Sequence, residues 1–499
     1  MKMKRRSFIS LVSASGAGIL LYPESVYPST SGELSNKEHR IILKITRSHP
    51  IDILPGKRVP FGWPAIGIST GESIRLKPTK KLKDTNLWLR VSIAQEIWDT
   101  KILQVGIPDT DIKLGAVDIR FSSVLVPYEI EIPGKFARLI NKHGLDLTLE
   151  SKSPVWIFNE LASGIDNSAF LPHILSSPKQ KGTVNDFLGC LMSVNSVQAF
   201  GWREGTVLDG LWQIYSQKGE TRALEAIKQH LSLFLDKNQN LVYESAQSTP
   251  KDNQIDGIES TIPFATLVRL YPDHPIIQTV LSAWAKYTQP NGMIVDGQLI
   301  SAEGCYTVAY PMAVIGKLLR RDDLKINALE QLRHRLVLMD SGQLYLRSRD
   351  SSRTYQNWAR GAAWFLLGFA RTISELKDEI QDQTIIEKFR EGISIALSMQ
   401  REDGLWSCFM HEKNSLPDTS GSAGIAAAIL VGIQHGYLPE SHKAYVIRCW
   451  NSLQNYLTPD GFLKGVAQDN RGGLELQQGE YRVIAQMGMG FMAQLYAGI

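Results

Sequence analysis

The segment Asp460-Gly461-Phe462-Leu463 is the last of five short turns that together decide the fold. Each turn follows a pair of predicted helices, and the turns recur about every 50 to 60 residues. The four earlier turns are Asn238-Gln239-Asn240-Leu241-Val242, Asn291-Gly292-Met293-Ile294, Ser341-Gly342-Gln343-Leu344-Tyr345 and Asp403-Gly404-Leu405-Trp406. A repeat of this length is typical of stacked helical hairpins.

Apolar residues recur with helical spacing from about residue 184 to residue 499. The spacing predicts twelve helices, at 186–198, 205–217, 221–236, 258–271, 275–288, 304–320, 323–339, 359–377, 382–400, 421–435, 440–457 and 482–497. Six hairpins can close into a ring with one helix of each pair inside, which is an (α/α)6 toroid. An open solenoid of hairpins is the alternative, but twelve helices favour closure. We assign residues 184–499 to this barrel domain.

Residues 38–157 show a different pattern, with short apolar segments of period two separated by Pro, Gly and Asp. The pattern predicts strands at 41–46, 87–93, 102–107, 116–121 and 145–149, and one short helix at 135–143. Several short strands at such spacing favour a β-sandwich domain. Residues 158–183 are assigned to a connector.

The composition is typical of a globular chain and excludes several kinds of site. Apolar residues make up 43% and charged residues 21%, and 54 Lys plus Arg against 50 Asp plus Glu leave a net charge of only +4. So small an excess argues against a nucleic-acid partner. The four cysteines, at 190, 305, 408 and 449, lie far apart without a C-x-x-C pair, which argues against a zinc site or a disulfide framework. We expect no metal and no cofactor.

Residues 1–30 resemble a twin-arginine export signal. Arg5 and Arg6 precede an apolar run from Phe8 to Leu21 that is too short to span a bilayer. A basic N-terminus without a targeting role is the alternative. No later stretch has the length of a membrane helix, so we expect no membrane span in the mature chain and a periplasmic or secreted location.

Acidic residues occur at two of the junctions that precede alternate helices. Asp256 stands before the predicted helix at 258, and Glu303 before the helix at 304. In a toroid these junctions meet at one mouth, and a pair of carboxyl groups is the usual equipment for acid–base chemistry on glycosidic bonds. Taken singly, each residue could instead be a helix cap or a first-turn charge.

Aromatic, basic and hydroxyl residues occur at the next two junctions. Arg360 lies between Trp358 and Trp364, and Ser420 and Ser422 follow Asp418. Arg can bind a carboxylate in a bidentate manner, and Trp can form the floor under a sugar ring. The alternatives are core packing for the two tryptophans, a structural ion pair for Arg360 and an ordinary N-cap for the serine segment.

The residues at these junctions resemble those of the unsaturated glycuronyl hydrolases, glycoside hydrolase families 88 and 105. Residues 358–364, Trp-Ala-Arg-Gly-Ala-Ala-Trp, are similar to the W-x-R-G-N-G-W motif, and residues 418–423 to the E-T-S-G-S-A segment. Residues 460–466 resemble the D-G-x-L-x-G-V turn. Ile255-Asp256-Gly257-Ile258 resembles L-D-D-I, and Glu303-Gly304-Cys305-Tyr306 resembles D-G-L-Y. The resemblance covers about residues 185–499.

The resemblance implies a glycosidase that hydrates a double bond. Its substrates are acidic oligosaccharides that carry a 4,5-unsaturated uronic acid left by a polysaccharide lyase. An acid protonates C4, water adds at C5, and the hemiketal collapses to release the next sugar. By this resemblance Glu303 is the catalytic acid and water activator, with a pKa raised by burial and by Asp256. Asp256 positions the substrate, and Arg360 binds the uronate carboxylate between Trp358 and Trp364.

The chain departs from the family pattern at several positions. Glu303 stands where the family has Asp, Ala362-Ala363 replaces N-G, and Arg347 stands near the position of a family His. Arg347 can neutralise a carboxylate but cannot exchange a proton near pH 7. Tyr306, Ser420 and Ser422 are further candidates for substrate contact.

Two other classes of function remain open from the sequence. One is a different carbohydrate enzyme on the same toroid, either a polysaccharide lyase or a conventional exo-glycosidase. The other is a non-catalytic sugar-binding protein. The sequence identifies neither the polysaccharide nor the oligomeric state.

Overall fold

The computed structural model describes residues 39–350 and 352–499, so the predicted export signal at 1–30 lies outside the described residues. A strand-rich region extends to Ser177, and a helical region follows from Val184. Within the described ranges, no helix is both long and apolar enough to cross a bilayer.

The strand-rich region contains ten strands and one short helix. The strands are β1 (Arg40–Arg47), β2 (Ala65–Ile68), β3 (Ser73–Pro78), β4 (Asn86–Ser92), β5 (Thr100–Gly106), β6 (Lys113–Arg120), β7 (Pro127–Ile132), β8 (Leu145–Glu150), β9 (Val155–Phe158) and β10 (His173–Ser177), and the helix is α1 (Ala137–His143). All five predicted strands and the predicted short helix are present. β10 lies within the predicted connector, where it pairs with β1 and β4.

Eight of these strands form one antiparallel sheet in the order β6-β5-β8-β3-β1-β10-β4-β7, and β2 pairs with β9. β1 joins the two halves of the sheet. Its first residues, Arg40 to Ile42, pair with β10, and those from Leu43 to Arg47 pair with β3. A strand that changes partners along its length turns a corner in the sheet. The β-rich character is confirmed, and the assignment to a β-sandwich stays a prediction.

The helical region contains the twelve predicted helices with shifted ends, and one additional short helix. In chain order they are α2 (Val184–Leu191), α3 (Trp202–Lys218), α4 (Thr221–Leu233), α5 (Pro263–Leu270), α6 (Ile276–Tyr287), α7 (Tyr310–Leu318), α8 (Asp322–His334), α9 (Ala359–Leu376), α10 (Gln383–Ser398), α11 (Thr419–Gln434), α12 (Lys443–Leu453), α13 (Gly473–Gln478) and α14 (Gln486–Gly498). The additional helix is α13. The short strands β11 (Ile300–Ser301), β12 (Met339–Asp340), β13 (Gln343–Arg349), β14 (Ser352–Gln356), β15 (Val466–Ala467) and β16 (Arg482–Val483) lie between helices.

Six of these helices form a closed inner ring. α3 contacts α5, and contacts continue through α7, α9, α11 and α14 back to α3. The outer helices α4, α6, α8, α10 and α12 each contact the inner helix that precedes them, and α2 contacts α14. The first helix of the region therefore forms a pair with the last one. This arrangement confirms the predicted (α/α)6 toroid and excludes the open solenoid.

Small residues allow the inner helices to approach one another closely. A Cβ atom at Gly424 of α11 would lie 2.7 Å from the Cβ of Ala363 on α9, and one at Gly421 would lie 2.7 Å from Ala359. α11 is buried over most of its surface, which explains why its sequence is apolar and small without a polar face. Small residues at 359, 363, 421 and 424 therefore fit the close packing of α9 against α11.

The strand-rich region is attached to the toroid through the outer face of β4. Leu87, Leu89 and Val91 point into the sheet core, while Arg90 on the opposite face is fully buried against the toroid. Arg90 Nη1 donates to Asp460 Oδ2 at 2.7 Å, and Arg40 lies 3.7 Å from the same oxygen. Burial alone would raise the pKa of Asp460, but the charges of Arg90 and Arg40 lower it to about 2.

Replacing Asp460 by Asn should lower the free energy of unfolding by about 3 kcal/mol, because the buried Arg90 guanidinium keeps Glu129 but loses the buried one of its two carboxylate partners. The matched control is Asp252→Asn, since Asp252 also pairs with an arginine of the strand-rich region but is half-exposed. It should cost less than about 1 kcal/mol. Urea titrations at pH 7 measure both values, and equal losses would contradict the role given to Asp460.

The difference between wild type and Asp460→Asn should depend on pH. Because folding lowers the pKa of Asp460, its contribution is complete above the unfolded value near pH 4 and is lost as the pH falls towards 2. Repeating the urea titrations at pH 3 and pH 2 should therefore show the difference shrinking.

Candidate active site

The predicted junctions meet at one end of the toroid, where the inner helices begin. The 3-10 turn Ile258–Ser260 precedes α5, and the π-helical turn Cys305–Ala309 precedes α7 and contacts it. The β13–β14 hairpin precedes α9, and residues 466–478 precede α14. Contacts join these segments, between the two turns and between Arg347 of the hairpin and Glu303. We call the place where they converge the cleft, at the mouth of the toroid.

Two carboxyl groups, those of Glu259 and Glu303, lie in hydrogen-bonding contact in this cleft. Burial raises the pKa of Glu259 well above its usual range, and the adjacent charge of Glu303 raises it further. Burial and the adjacent carboxyl therefore both favour the protonated form of Glu259. This is the arrangement of a proton donor beside a proton acceptor.

The second carboxyl of the pair is held by residues of the neighbouring strands. Ser301 Oγ donates to Glu303 Oε2 at 2.6 Å and accepts from the Glu303 amide at 3.1 Å. Arg347, on β13, places Nη2 at 3.8 Å from the same carboxylate oxygen. The negative charge of the pair is thereby placed beside a guanidinium.

Asp256, the predicted partner of Glu303, is not the acid that contacts it. Its carboxyl is half-exposed and lies 3.0 Å from Lys251 Nζ, on the outer side of the turn. The Asp256 amide donates to the hydroxyl of Tyr243, and its carbonyl accepts from Ser260. Glu259, three residues later and within the 3-10 turn, contacts Glu303 instead. Asp256 and Glu259 both precede α5. Sequence spacing alone could not show which of the two contacts Glu303.

Arg360 is buried and bound to the backbone. Its two terminal nitrogens donate to the carbonyls of Ala467 at 2.6 Å and Gln468 at 2.7 Å, and its guanidinium lies over the Trp358 ring at 4.6 Å. These contacts fit the structural alternative, and the role in uronate binding stays a prediction. Arg360 fixes the segment that precedes α14 against the start of α9.

Trp358, Trp364 and Tyr306 are also buried. Trp358 Nε1 donates to Gln477, and Trp364 packs against Phe491 with ring centroids 4.9 Å apart. The hydroxyl of Tyr306 donates to Asp209 at 2.5 Å inside the ring of helices. All three side chains lie in the core. For Trp358 and Trp364 this agrees with the packing alternative, and substrate contact by Tyr306 stays a prediction.

Ser420 and Ser422 are buried at the start of α11. Ser420 Oγ donates to Asp418 Oδ1 at 2.7 Å, and the Ser422 hydroxyl accepts from the Trp406 amide at 2.9 Å. Asp418 is the N-cap of the helix. These contacts fit the N-cap alternative and do not direct either hydroxyl to the cleft.

A network of charged residues that the sequence did not indicate lies between the carboxyl pair and the strand-rich region. Arg203, at the start of α3, binds Asp469, and the charge of Asp469 contributes to the raised pKa of Glu259. Arg471 Nε lies 3.4 Å from Asp469, and Arg471 Nη1 donates to Glu96 at 2.9 Å. Glu96 belongs to the loop that follows β4. The strand-rich region therefore reaches the mouth of the cleft.

No group of three or more His, Cys, Asp or Glu side chains within residues 39–350 and 352–499 is arranged to hold a metal ion. All four cysteines are buried and unpaired.

Comparison with known proteins shows a family match over the helical region. The model of Glycosyl Hydrolase Family 88 matches residues 180–495. A curated relative from Formosa agariphila, unsaturated 3S-rhamnoglycuronyl hydrolase, is 29% identical over 108 residues, which are 21% of this chain and 29% of the relative. Unsaturated rhamnogalacturonyl hydrolase YesR of Bacillus subtilis is 30% identical over 128 residues, which are 24% of this chain and 37% of the relative. The aligned part of the chain thus spans about a third of these relatives.

A solved structure described as that of a possible member of GH105 family, from Salmonella enterica, shares the fold. The superposition has a TM-score of 0.52 at 18% identity and covers 64% of this chain and 84% of the other. The family match begins at residue 180, after the last strand of the strand-rich region.

Replacing Arg360 by Ala should destabilise the protein by about 3 kcal/mol, because two buried carbonyls lose a charged donor. Arg347→Ala is the control at the same mouth and should cost about 1 kcal/mol or less, since Arg347 is partly exposed and its ion pair is long. Urea unfolding measures both variants. A stable Arg360→Ala variant with weakened ligand binding would restore the predicted role in uronate binding.

Proposed function

Because the chain belongs to glycosyl hydrolase family 88, we propose that it releases a 4,5-unsaturated uronic acid from oligosaccharides made by polysaccharide lyases. The reaction is hydration of the C4–C5 double bond. The names of the two curated relatives, both unsaturated glycuronyl-type hydrolases, support this substrate class. The observation that carries the proposal is the contact between the carboxyl groups of Glu259 and Glu303.

The closeness of the two carboxyl groups favours hydration over direct cleavage of the glycosidic bond. Conventional glycosidases place their two carboxyl groups on opposite sides of that bond, about 5 to 5.5 Å apart when they retain configuration and about 6.5 to 9.5 Å apart when they invert it. Two groups in hydrogen-bonding contact leave no room for a sugar between them. They are suited to act on one face of a double bond, where one supplies a proton and the other accepts one.

The environments of the two carboxyl groups divide the roles between them. Glu259, whose pKa is raised, carries the proton and delivers it to C4 of the unsaturated ring. Glu303, beside Arg347, accepts a proton from the water whose oxygen bonds to C5. The resulting hemiketal opens at its ring oxygen. The C1 hemiacetal then breaks its bond to the next sugar, which leaves as an alcohol, so one water is consumed per turnover.

Arg347 is the residue best placed to face the substrate carboxylate. It is partly exposed in the cleft, and its Nε is a buried donor without a hydrogen-bond partner among the described residues. A buried donor without a partner is costly, so a bound carboxylate would satisfy it. Arg203 lies at the same mouth but is held by Asp469.

We also propose that the enzyme is exported, on the strength of Arg5, Arg6 and the apolar run that follows them. An exported enzyme would meet lyase products outside the cytoplasm.

Glu259→Gln and Glu303→Gln should each lower turnover by at least about 100-fold, because one removes the proton donor and the other the acceptor. The assay follows the loss of ultraviolet absorbance of the conjugated double bond, with unsaturated oligosaccharides made by lyase digestion of rhamnogalacturonan and of glycosaminoglycans. Asp256→Asn, on the same turn, is the matched control and should lose less than about tenfold. A gain of absorbance would show a lyase, and sugar release without any change would show a conventional glycosidase.

The pH profile of the wild type provides a second readout. Turnover should fall as the pH rises through the raised pKa of Glu259, because only the protonated carboxyl can deliver the proton. Residual turnover of Glu259→Gln should lack this alkaline limb. An alkaline limb that persists in Glu259→Gln would assign the proton donor to another residue.

A further inference from the structure

We propose that Trp98, in the loop between β4 and β5, is the platform of a sugar-binding subsite that holds the second sugar on the leaving side of the scissile bond. This inference rests on the proposed function, since it assumes that the substrate is an oligosaccharide bound by its unsaturated end. The subsite is supplied by the strand-rich region, which lies outside the part of the chain that matches the family.

The exposure of Trp98 is unusual for this protein. Its side chain is 48% exposed, and the other ten tryptophans, all within the described residues, are buried or partly buried. A large apolar ring in solvent gives up the free energy that burial would provide. An exposed aromatic ring of this kind is a common docking surface for a ligand with an apolar face.

The ring is held in one orientation. Trp98 Nε1 donates to the carbonyl of Ala246 at 2.7 Å, and the Arg471 guanidinium carbon lies 4.6 Å from the ring centroid. The loop is anchored nearby, because the Glu96 amide donates to Ser248 Oγ at 2.8 Å. A ring fixed by a hydrogen bond and a cation–π contact loses little conformational freedom when it binds a ligand.

Trp98 lies at the same mouth as the carboxyl pair but not next to it. Arg471 contacts both the Trp98 ring and Asp469, and the charge of Asp469 reaches the carboxyl of Glu259. An arginine and an aspartate thus stand between the platform and the carboxyl pair. Because these two residues intervene, we assign the platform to the second leaving sugar rather than to the first.

The direction of the substrate agrees with this position. The unsaturated uronate is the non-reducing end of the oligosaccharide and must reach the carboxyl pair at the floor of the cleft. The remaining sugars then extend outwards past the rim, where Trp98 stands. A pyranose ring has a face of C–H bonds that can stack on the indole, so the platform recognises a sugar ring without requiring a charge.

The test compares an unsaturated disaccharide, which has one leaving sugar, with an unsaturated tetrasaccharide, which has three. Both probes come from lyase digestion of the polysaccharide that the wild type accepts. In Trp98→Ala, kcat/KM for the tetrasaccharide should fall about three- to tenfold through KM, while the value for the disaccharide stays unchanged. Trp98→Phe should restore most of the loss. Leu161→Ala is the control, because it removes another exposed apolar side chain of the strand-rich region. It should leave kcat/KM unchanged for both the disaccharide and the tetrasaccharide.

An equal loss on both substrates would overturn the proposal and show that Trp98 only holds the two regions together. No loss on either substrate would also overturn it. Calorimetric titration of the tetrasaccharide into Glu303→Gln, with and without Trp98→Ala, separates this proposal from the reaction. Weaker binding in the double variant supports the subsite even if the wild type proves to cleave the sugar by another route. Equal binding removes the subsite whatever the reaction is.

Discussion

Closure of the helical ring is the constraint on which the rest of the molecule depends. α14 packs between α3 and α11, and α2 packs against α14, so residues at the two ends of the helical region meet. Only a closed ring brings the N-terminal ends of all six inner helices to one mouth. Three segments from different repeats converge on the same cleft. They are the Ile258–Ser260 turn, the Cys305–Ala309 turn and the β13–β14 hairpin. Small residues such as Gly421 and Gly424 permit the closeness that closure requires.

Within the cleft, the chemistry follows from holding two acids together in unequal surroundings. Glu259 comes from one repeat and Glu303 from the next. Burial, together with the adjacent Glu303, raises the pKa of Glu259, while Ser301 and Arg347 contact the carboxyl of Glu303. In the proposed mechanism, this difference in surroundings is what makes Glu259 the proton donor and Glu303 the acceptor.

Much of the fold could be predicted from the sequence, because it rests on periodicities that extend over hundreds of residues. The recurring turns and the helical spacing specified twelve helices and their pairing in a ring. The strands that were missed, such as β2, β9 and β10, are short and buried, so they lack the alternation that marks a half-exposed strand. The order of the strands depends on contacts distant in sequence, which no local pattern encodes.

The site was less predictable, for a different physical reason. The structure brings the turns before α5 and α7 together, as the repeat pattern predicts. The direction of each side chain, however, depends on one turn of backbone. At the junction before α5, Glu259 contacts Glu303, whereas Asp256 pairs with Lys251. Arg360 stands in a sequence that suggests ligand binding, yet the backbone of residues 467 and 468 occupies its guanidinium. Glu96 and Trp98 could not be found at all, since they come from a different region of the chain.

The same turn that ends the repeat pattern also explains why the strand-rich region reaches the cleft. Gly461 has φ of 91°, which favours glycine. A Cβ there would lie 2.7 Å from the Phe187 amide of α2. The turn therefore packs directly on the first helix of the helical region. The adjacent Asp460 binds Arg90 of β4. One turn thus joins the first hairpin, the last hairpin and the sheet. Because β4 is held there, the loop that follows it lies near the mouth of the toroid. Its residues Glu96 and Trp98 contact Arg471. The ion pair between Arg90 and Asp460 therefore also contributes to placing Glu96 and Trp98 near the proposed carboxyl pair.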